Sequence, residues 1–173
     1  KTLAAFLWAI DGIVTGRTAA GALRILYVSP LKALNNDIRK NLLAPLQSLR
    51  TVFHEEGADF PDIRIATRSG DTPQKERRSM TRRPPEILIT TPESLNIMLT
   101  SAGSLPMFDT VRTVILDEVH AVAGTKRGTH LITAVDRIVP RSGEFQRIAL
   151  SATVRPEQTV AEFTAGFRME GDV

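Results

Sequence analysis

Residues 111–120, Val-Arg-Thr-Val-Ile-Leu-Asp-Glu-Val-His, constrain this chain more than any others. Val114, Ile115 and Leu116 leave no polar position for a solvated side, so the run reads as a strand buried on both faces. An unpaired carboxylate inside a core is prohibitively costly. Asp117 and Glu118 must therefore emerge at the C-terminal end of that strand, the edge where open parallel α/β sheets bind ligands. Taken alone, the pair fits equally well two solvated acids opening a loop. The rest of the chain has to separate those readings.

Four further apolar segments read as strands, over residues 24–29, 63–68, 86–90 and 146–150. Between them lie helical patterns. Leu3, Phe6, Leu7, Ile10 and Val14 recur at helical spacing over residues 2–14. Leu34, Ile38, Leu42 and Leu46 share one face of a helix over about 31–49, with Asn35, Asn36, Arg39 and Lys40 elsewhere on its surface. Pro45 should kink or shorten that helix. Thr91 is placed to cap a helix over 93–100, with Pro92 in its first turn. Gly124 and Gly128 bracket a basic turn, Thr125-Lys126-Arg127, ahead of a helix over 129–138. A last helix is expected from about 156 to 164. Strands alternating with helices predict an α/β fold in three layers, a parallel sheet covered by helices on both faces.

In that fold the strands end in small hydroxyl or acidic residues: Ser29, Ser69, Thr90-Thr91, Asp117-Glu118, and Ser151 with Thr153. All of these ends share one edge, so a single polar rim is expected. Hydroxyls and carboxylates suit a nucleoside triphosphate with Mg²⁺, which prefers oxygen ligands and takes one or two carboxylates beside phosphate oxygens. Asp117 is the natural acid for the metal, with the Thr2 hydroxyl as its partner. Glu118 is free to orient an attacking water or accept its proton, and Lys1 to neutralise charge on a phosphoryl group. His120, three residues after Asp117, is placed to link the rim to Ser151 and Thr153, or else is a capping or surface histidine.

Composition narrows the field further. The 173 residues suffice for one domain burying roughly 70% of its unfolded surface. With no cysteine, a disulfide framework and thiolate metal sites are excluded, which fits a reducing cytoplasm. His54, His120 and His130 are too scattered for a zinc site. No apolar stretch approaches the ~20 residues that span a bilayer, so a membrane partner is not expected. Asp11 interrupts the short apolar run near the start, against a signal peptide. The net charge of +3 is compatible with a polyanionic partner. The densest basic run, Lys75, Arg77, Arg78, Arg82 and Arg83, reads either as a phosphate-contacting patch or as the solvated face of a short helix.

Five segments in this order carry a family resemblance: Ser29-Pro30-Leu31-Lys32-Ala33-Leu34, Ser69-Gly70-Asp71-Thr72, Thr90-Thr91-Pro92-Glu93-Ser94-Leu95, Asp117-Glu118-Val119-His120 and Ser151-Ala152-Thr153. Together they resemble the first RecA-like domain, a P-loop NTPase fold, of a superfamily-two helicase of the DEAD/DEAH type. Asn35-Asn36-Asp37-Ile38 and Lys126-Arg127-Gly128-Thr129-His130 are most similar to the large helicase-related (Lhr-like) proteins of bacteria and archaea. The resemblance implies ATP and Mg²⁺ as cofactors. Lys1-Thr2 match the end of a Walker A loop, so residues 1–173 would be a domain whose N-terminus falls inside that loop. Asp117 and Glu118 match the metal ligand and water-activating acid, with His120 beside them. Ser151, Ala152 and Thr153, together with His120, match the motif coupling hydrolysis to strand separation. Pro30, Lys32, Ala33, Ser69, Gly70, Asp71, Thr72, Thr91, Pro92 and Glu93 match contacts to the backbone of one nucleic-acid strand, DNA favoured over RNA, with Lys32 the one full cation among them. A second RecA-like domain of the same polypeptide would supply an arginine finger, typically worth about 10³–10⁵ in rate, so the isolated piece is expected to hydrolyse ATP negligibly. The alternative is a non-catalytic nucleic-acid-binding module with a degenerate ATP site. A small-molecule kinase would need a substrate pocket that the sequence does not suggest.

Overall fold

Period-two alternation along the central strand divides the core into two. Ile25 and Tyr27 face one cluster, Leu26 and Val28 the other. The computed structural model describes residues 1–152 and 157–166. Its elements are α1 (Thr2–Val14), β1 (Ile25–Val28), α2 (Lys32–Glu55), β2 (Ile65–Arg68), α3 (Gln74–Arg82), β3 (Ile87–Thr90) and α4 (Pro92–Thr100). There follow β4 (Thr113–Leu116), α5 (Lys126–Asp136), α6 (Val139–Ser142), β5 (Gln146–Ala149) and α7 (Glu157–Ala165). The five strands form one parallel sheet in the order β2-β3-β1-β4-β5.

Helices α1 and α2 cover one face through Phe6, Ile10, Ile13, Leu42 and Leu46. Helices α4, α5 and α7, with the 3₁₀ turn Leu105–Thr110, cover the other through Leu95, Leu99, Phe108, Leu131, Val135 and Val160. The three expected layers are present. Edge strand β2 is only half-buried, while β1, β3 and β4 are fully buried.

Register positions the rim. Val28 pairs with Thr90 and Leu116, Thr90 with Arg68, and Leu116 with Ala149. The five strands end level, so Ser29, Ser69, Thr91 and Asp117 leave the sheet side by side.

Three local expectations need correction. Helix α2 runs ten residues past Pro45, to Glu55. The carbonyl deprived of its partner belongs to Asn41, an exposed residue that water can serve. Asn35 is not on the helix surface: it is 1% exposed, beside Ile65 and Thr67 of β2. Finally, Lys126 and Arg127 are not in a loose turn. Thr125 caps α5 by accepting the Gly128 N–H at 3.1 Å, so both basic residues belong to the first turn of that helix. Strand ends moved by a residue or two, as boundaries do.

Gly128 permits this arrangement, because a Cβ there would collide with the carbonyl oxygen of Val122. Gly128→Ala is expected to destabilise the domain by about 1–3 kcal/mol, read as a lower urea midpoint at unchanged slope.

Candidate functional site

Asp117 is 6% exposed, directly after a strand buried on both sides. Protein donors satisfy its carboxylate. Oδ1 accepts the N–H of Glu118 at 2.9 Å, and Oδ2 accepts the Tyr27 hydroxyl. Tyr27 stands on β1, stacked on Phe6 of α1 with ring centroids 5.2 Å apart. Burial, followed by the hydrogen bond to Asp117, pushes the Tyr27 phenol well above its ordinary pKa, so it remains a donor. Sequence reasoning missed Tyr27. Its polar tip on an otherwise apolar strand, one register step before the rim, was the available signal.

Glu118 turns the chain out of the sheet. Its φ of 51° and ψ of 39° make it left-handed, the one such non-glycine among the described residues. That conformation costs roughly 1–2 kcal/mol. It separates the two acids: Asp117 stays at the buried strand end, whereas the Glu118 side chain is about one-third exposed. Glu118 Oε2 lies 3.3 Å from His120 Nε2.

His120 connects β4 to β5. Its Nδ1 accepts the Ala152 N–H at 3.2 Å and lies 3.2 Å from Ser151 Oγ. An Nδ1 that accepts a backbone N–H is unprotonated, which places the neutral ring's proton on Nε2, facing Glu118. A path therefore runs from the Ser151-Ala152 backbone through one imidazole to the Glu118 carboxylate. Lys1 closes the group, its Nζ donating to the Ser151 carbonyl at 3.4 Å. Thr2 begins α1, whose Phe6 supports Tyr27. Thr153 lies outside the described residues.

Beyond β1, the rim carries the remaining candidates. Pro30, Lys32 and Ala33 open α2; Ser69, Gly70, Asp71 and Thr72 follow β2; Thr91, Pro92 and Glu93 follow β3. Lys32 is not a free cation, since it is ion-paired with Asp71. Thr72 Oγ1 accepts the Ser69 N–H at 2.8 Å, and Thr91 Oγ1 accepts the Ser94 N–H at 3.3 Å. Those hydroxyls shape the turns, while exposed Gly70, Asp71, Lys32 and Ala33 form the surface. Arg127 bonds Glu93 Oε1 at 2.6 Å and the Pro30 carbonyl at 2.8 Å, tying the ends of β1 and β3 to α5. The Arg127 hydrogen bond holds the Glu93 carboxyl below its usual range. Arg77 likewise grips the Thr72 and Gly70 carbonyls, each at 2.6 Å. Arg127 was not legible as a rim residue, because it acts from a helix distant in sequence; Arg77 lies only a few residues from the turn it holds.

The Asp117 carboxylate at a strand end is of the kind Mg²⁺ takes beside phosphate oxygens. Among the described residues no cluster of three or more His, Asp or Glu that could hold a metal occurs. No helix among them is long and apolar enough to cross a membrane.

A level parallel rim, with an Asp-Glu step on one strand joined through histidine to a Ser-Ala step on the next, is the layout of a RecA-like domain. Residues 1–163 match the DEAD/DEAH box helicase family, and the chain belongs to it. It is 49% identical over 174 residues to ATP-dependent helicase Lhr-Core protein 2 of Thermococcus barophilus, covering 99% of this chain and 20% of that protein. It is 47% identical to the Lhr helicase/uracil glycosylase of Escherichia coli, covering 97% and 11%. The solved structure of Mycobacterium smegmatis helicase Lhr bound to ssDNA and AMP-PNP superposes with a TM-score of 0.89 at 51% identity, covering 95% of this chain and 21% of that one. The chain thus spans about a fifth or less of the length of these relatives.

Tyr27→Phe leaves a carboxylate oxygen buried without its donor and is expected to cost about 1–3 kcal/mol, measured by denaturant melting. For Glu93, a lowered folded pKa means stability that is present above the unfolded value and lost as pH falls through the folded one. Arg127→Ala should flatten stability over that acidic window. Exposure of the pair keeps the effect near or below about 1 kcal/mol.

Proposed function

We propose that this domain is the nucleotide-binding half of an ATP-driven motor that moves along single-stranded DNA. The observation that carries this reading is the path Glu118–His120–Ser151/Ala152, which joins a candidate water-activating acid to the neighbouring strand end. A degenerate module would have no need of such a path, so the non-catalytic alternative is not favoured.

In this reading, Lys1 and Thr2 face the triphosphate, and Asp117 with Thr2 holds Mg²⁺. The metal supplies charge neutralisation across the phosphate oxygens. Tyr27 and the Glu118 N–H fix the Asp117 carboxylate so that its remaining lone pairs face the rim. Glu118, half out of the core, orients the attacking water and accepts its proton. His120 holds Glu118 through Nε2–H, and a change in the charge on Glu118 is felt at Ser151 and Ala152 through the same ring. Strand contact falls to the exposed parts of the 30–33, 69–72 and 91–93 segments, where backbone groups, and Lys32 once a phosphate displaces its exposed partner Asp71, meet phosphates without reading bases. The bound ssDNA and AMP-PNP of the M. smegmatis relative support both ligands and favour DNA.

Residues 1–173 are then the first of two RecA-like domains of one polypeptide, with ATP between them, and the motor works in the cytoplasm. The test is Glu118→Gln in the intact protein. Nucleotide binding should persist while DNA-stimulated phosphate release falls by about 10²–10⁴. Undiminished release would remove Glu118 from this role and the proposal with it.

A further inference from the structure

A cleft of about 350 Å³ runs between α3 and α4, starting at Arg68 where β2 meets the rim and ending where Gly103 approaches Thr81. One wall carries Arg68, Arg77, Arg78 and Arg82; the other presents a 59%-exposed Ile97 above the buried Met98, with Ser101 and Ser104 beyond. No carboxylate lines it. Several arginines elsewhere have acids close by: Asp62 serves Arg50, Arg64 and Arg83, Glu93 serves Arg127, and Asp109 serves Arg141. Among the described residues, Arg78 and Arg82 have no such partner, and Arg68 Nη1 is buried with no hydrogen-bond acceptor. Burial, and after it the charge of Arg77, push the Arg68 guanidinium below its ordinary pKa. Like charges gathered in a partly desolvated cleft are costly until an anion joins them.

The two walls together specify the anion. A free phosphate would use the guanidiniums and leave the exposed Ile97 wet. A nucleotide chain offers a phosphate and a flat apolar base at every step, and matches both walls. Arg77 adds continuity: the side chain lining the cleft also holds the Gly70 and Thr72 carbonyls, so rim and cleft are one surface.

We propose that the α3–α4 cleft is a second single-strand-binding site, continuous with the rim, in which Arg68, Arg78 and Arg82 take phosphates and Ile97 takes a base. This rests on the reading of the rim as strand-binding, and it extends the track beyond the segments matched by the family motifs.

The experiment uses the intact protein with AMP-PNP, Mg²⁺ and labelled oligodeoxythymidylates of about 4 to about 16 nucleotides, the span of known single-strand site sizes. Arg78→Ala/Arg82→Ala alters exposed side chains only, and Ile97→Glu tests the opposite wall. The double variant should bind the shortest strands like wild type and the longest about tenfold more weakly. Its slope of log Kd against log salt should fall by roughly 1.4, about 0.7 per lost phosphate contact. Ile97→Glu should also weaken only the longer strands. If the double variant reproduces wild-type affinity and slope at every length, the cleft assignment fails and the rim reading stands. If wild type binds no strand of any length, both fail. Displacement of long strands by inorganic phosphate at matched ionic strength, with short strands unaffected, would assign the cleft to a free anion and overturn the proposal.

Discussion

The structure depends on holding one carboxylate at the end of a buried strand. Asp117 sits where the sheet stops, with too little water to solvate it, so it needs donors fixed by the fold. It gets one from its own backbone, the Glu118 N–H, and one from across the sheet, the Tyr27 hydroxyl. Tyr27 is fixed in turn by strand register and by Phe6 of α1. The helix that begins at Thr2 therefore braces, through Phe6 and Tyr27, the acid at the strand end. Packing and chemistry share one set of contacts.

Glu118 illustrates the complementary device. A left-handed backbone at a glutamate is unfavourable and persists only when its surroundings over-determine it. They do: Asp117 N–H is bonded to Val28 O at 3.0 Å, and Val119 N–H to Leu150 O at 3.1 Å. Adjacent strands clamp the residues on either side, and the kink between them aims two neighbouring acids at different environments.

Much of this was legible in the sequence, for definite reasons. Uninterrupted β-branched runs gave the central strands, and the common polarity of their last residues gave the rim. The His120–Ser151 link was visible because parallel topology brings the ends of β4 and β5 together. Illegible parts depend on partners distant along the chain. Nothing near Asn35 signals that β2 will bury it, nothing near Lys32 signals its pairing with Asp71, and Arg127 reaches back 97 residues to Pro30. Pro45 does not end α2, and the carbonyl it leaves without a donor belongs to the exposed Asn41.

Arg127 has a further consequence. By fastening the exits of β1 and β3 to α5, it makes that half of the rim a braced plate, with α3 joined to the turn after β2 through Arg77. The ends of β4 and β5 are joined instead by ladder hydrogen bonds, Val119 N–H to Leu150 O and Leu150 N–H to Leu116 O, and by one imidazole whose partners are a carboxylate and a peptide N–H. The exits of β1 and β3 are thus tied to a helix by a side chain, while those of β4 and β5 are tied chiefly to each other.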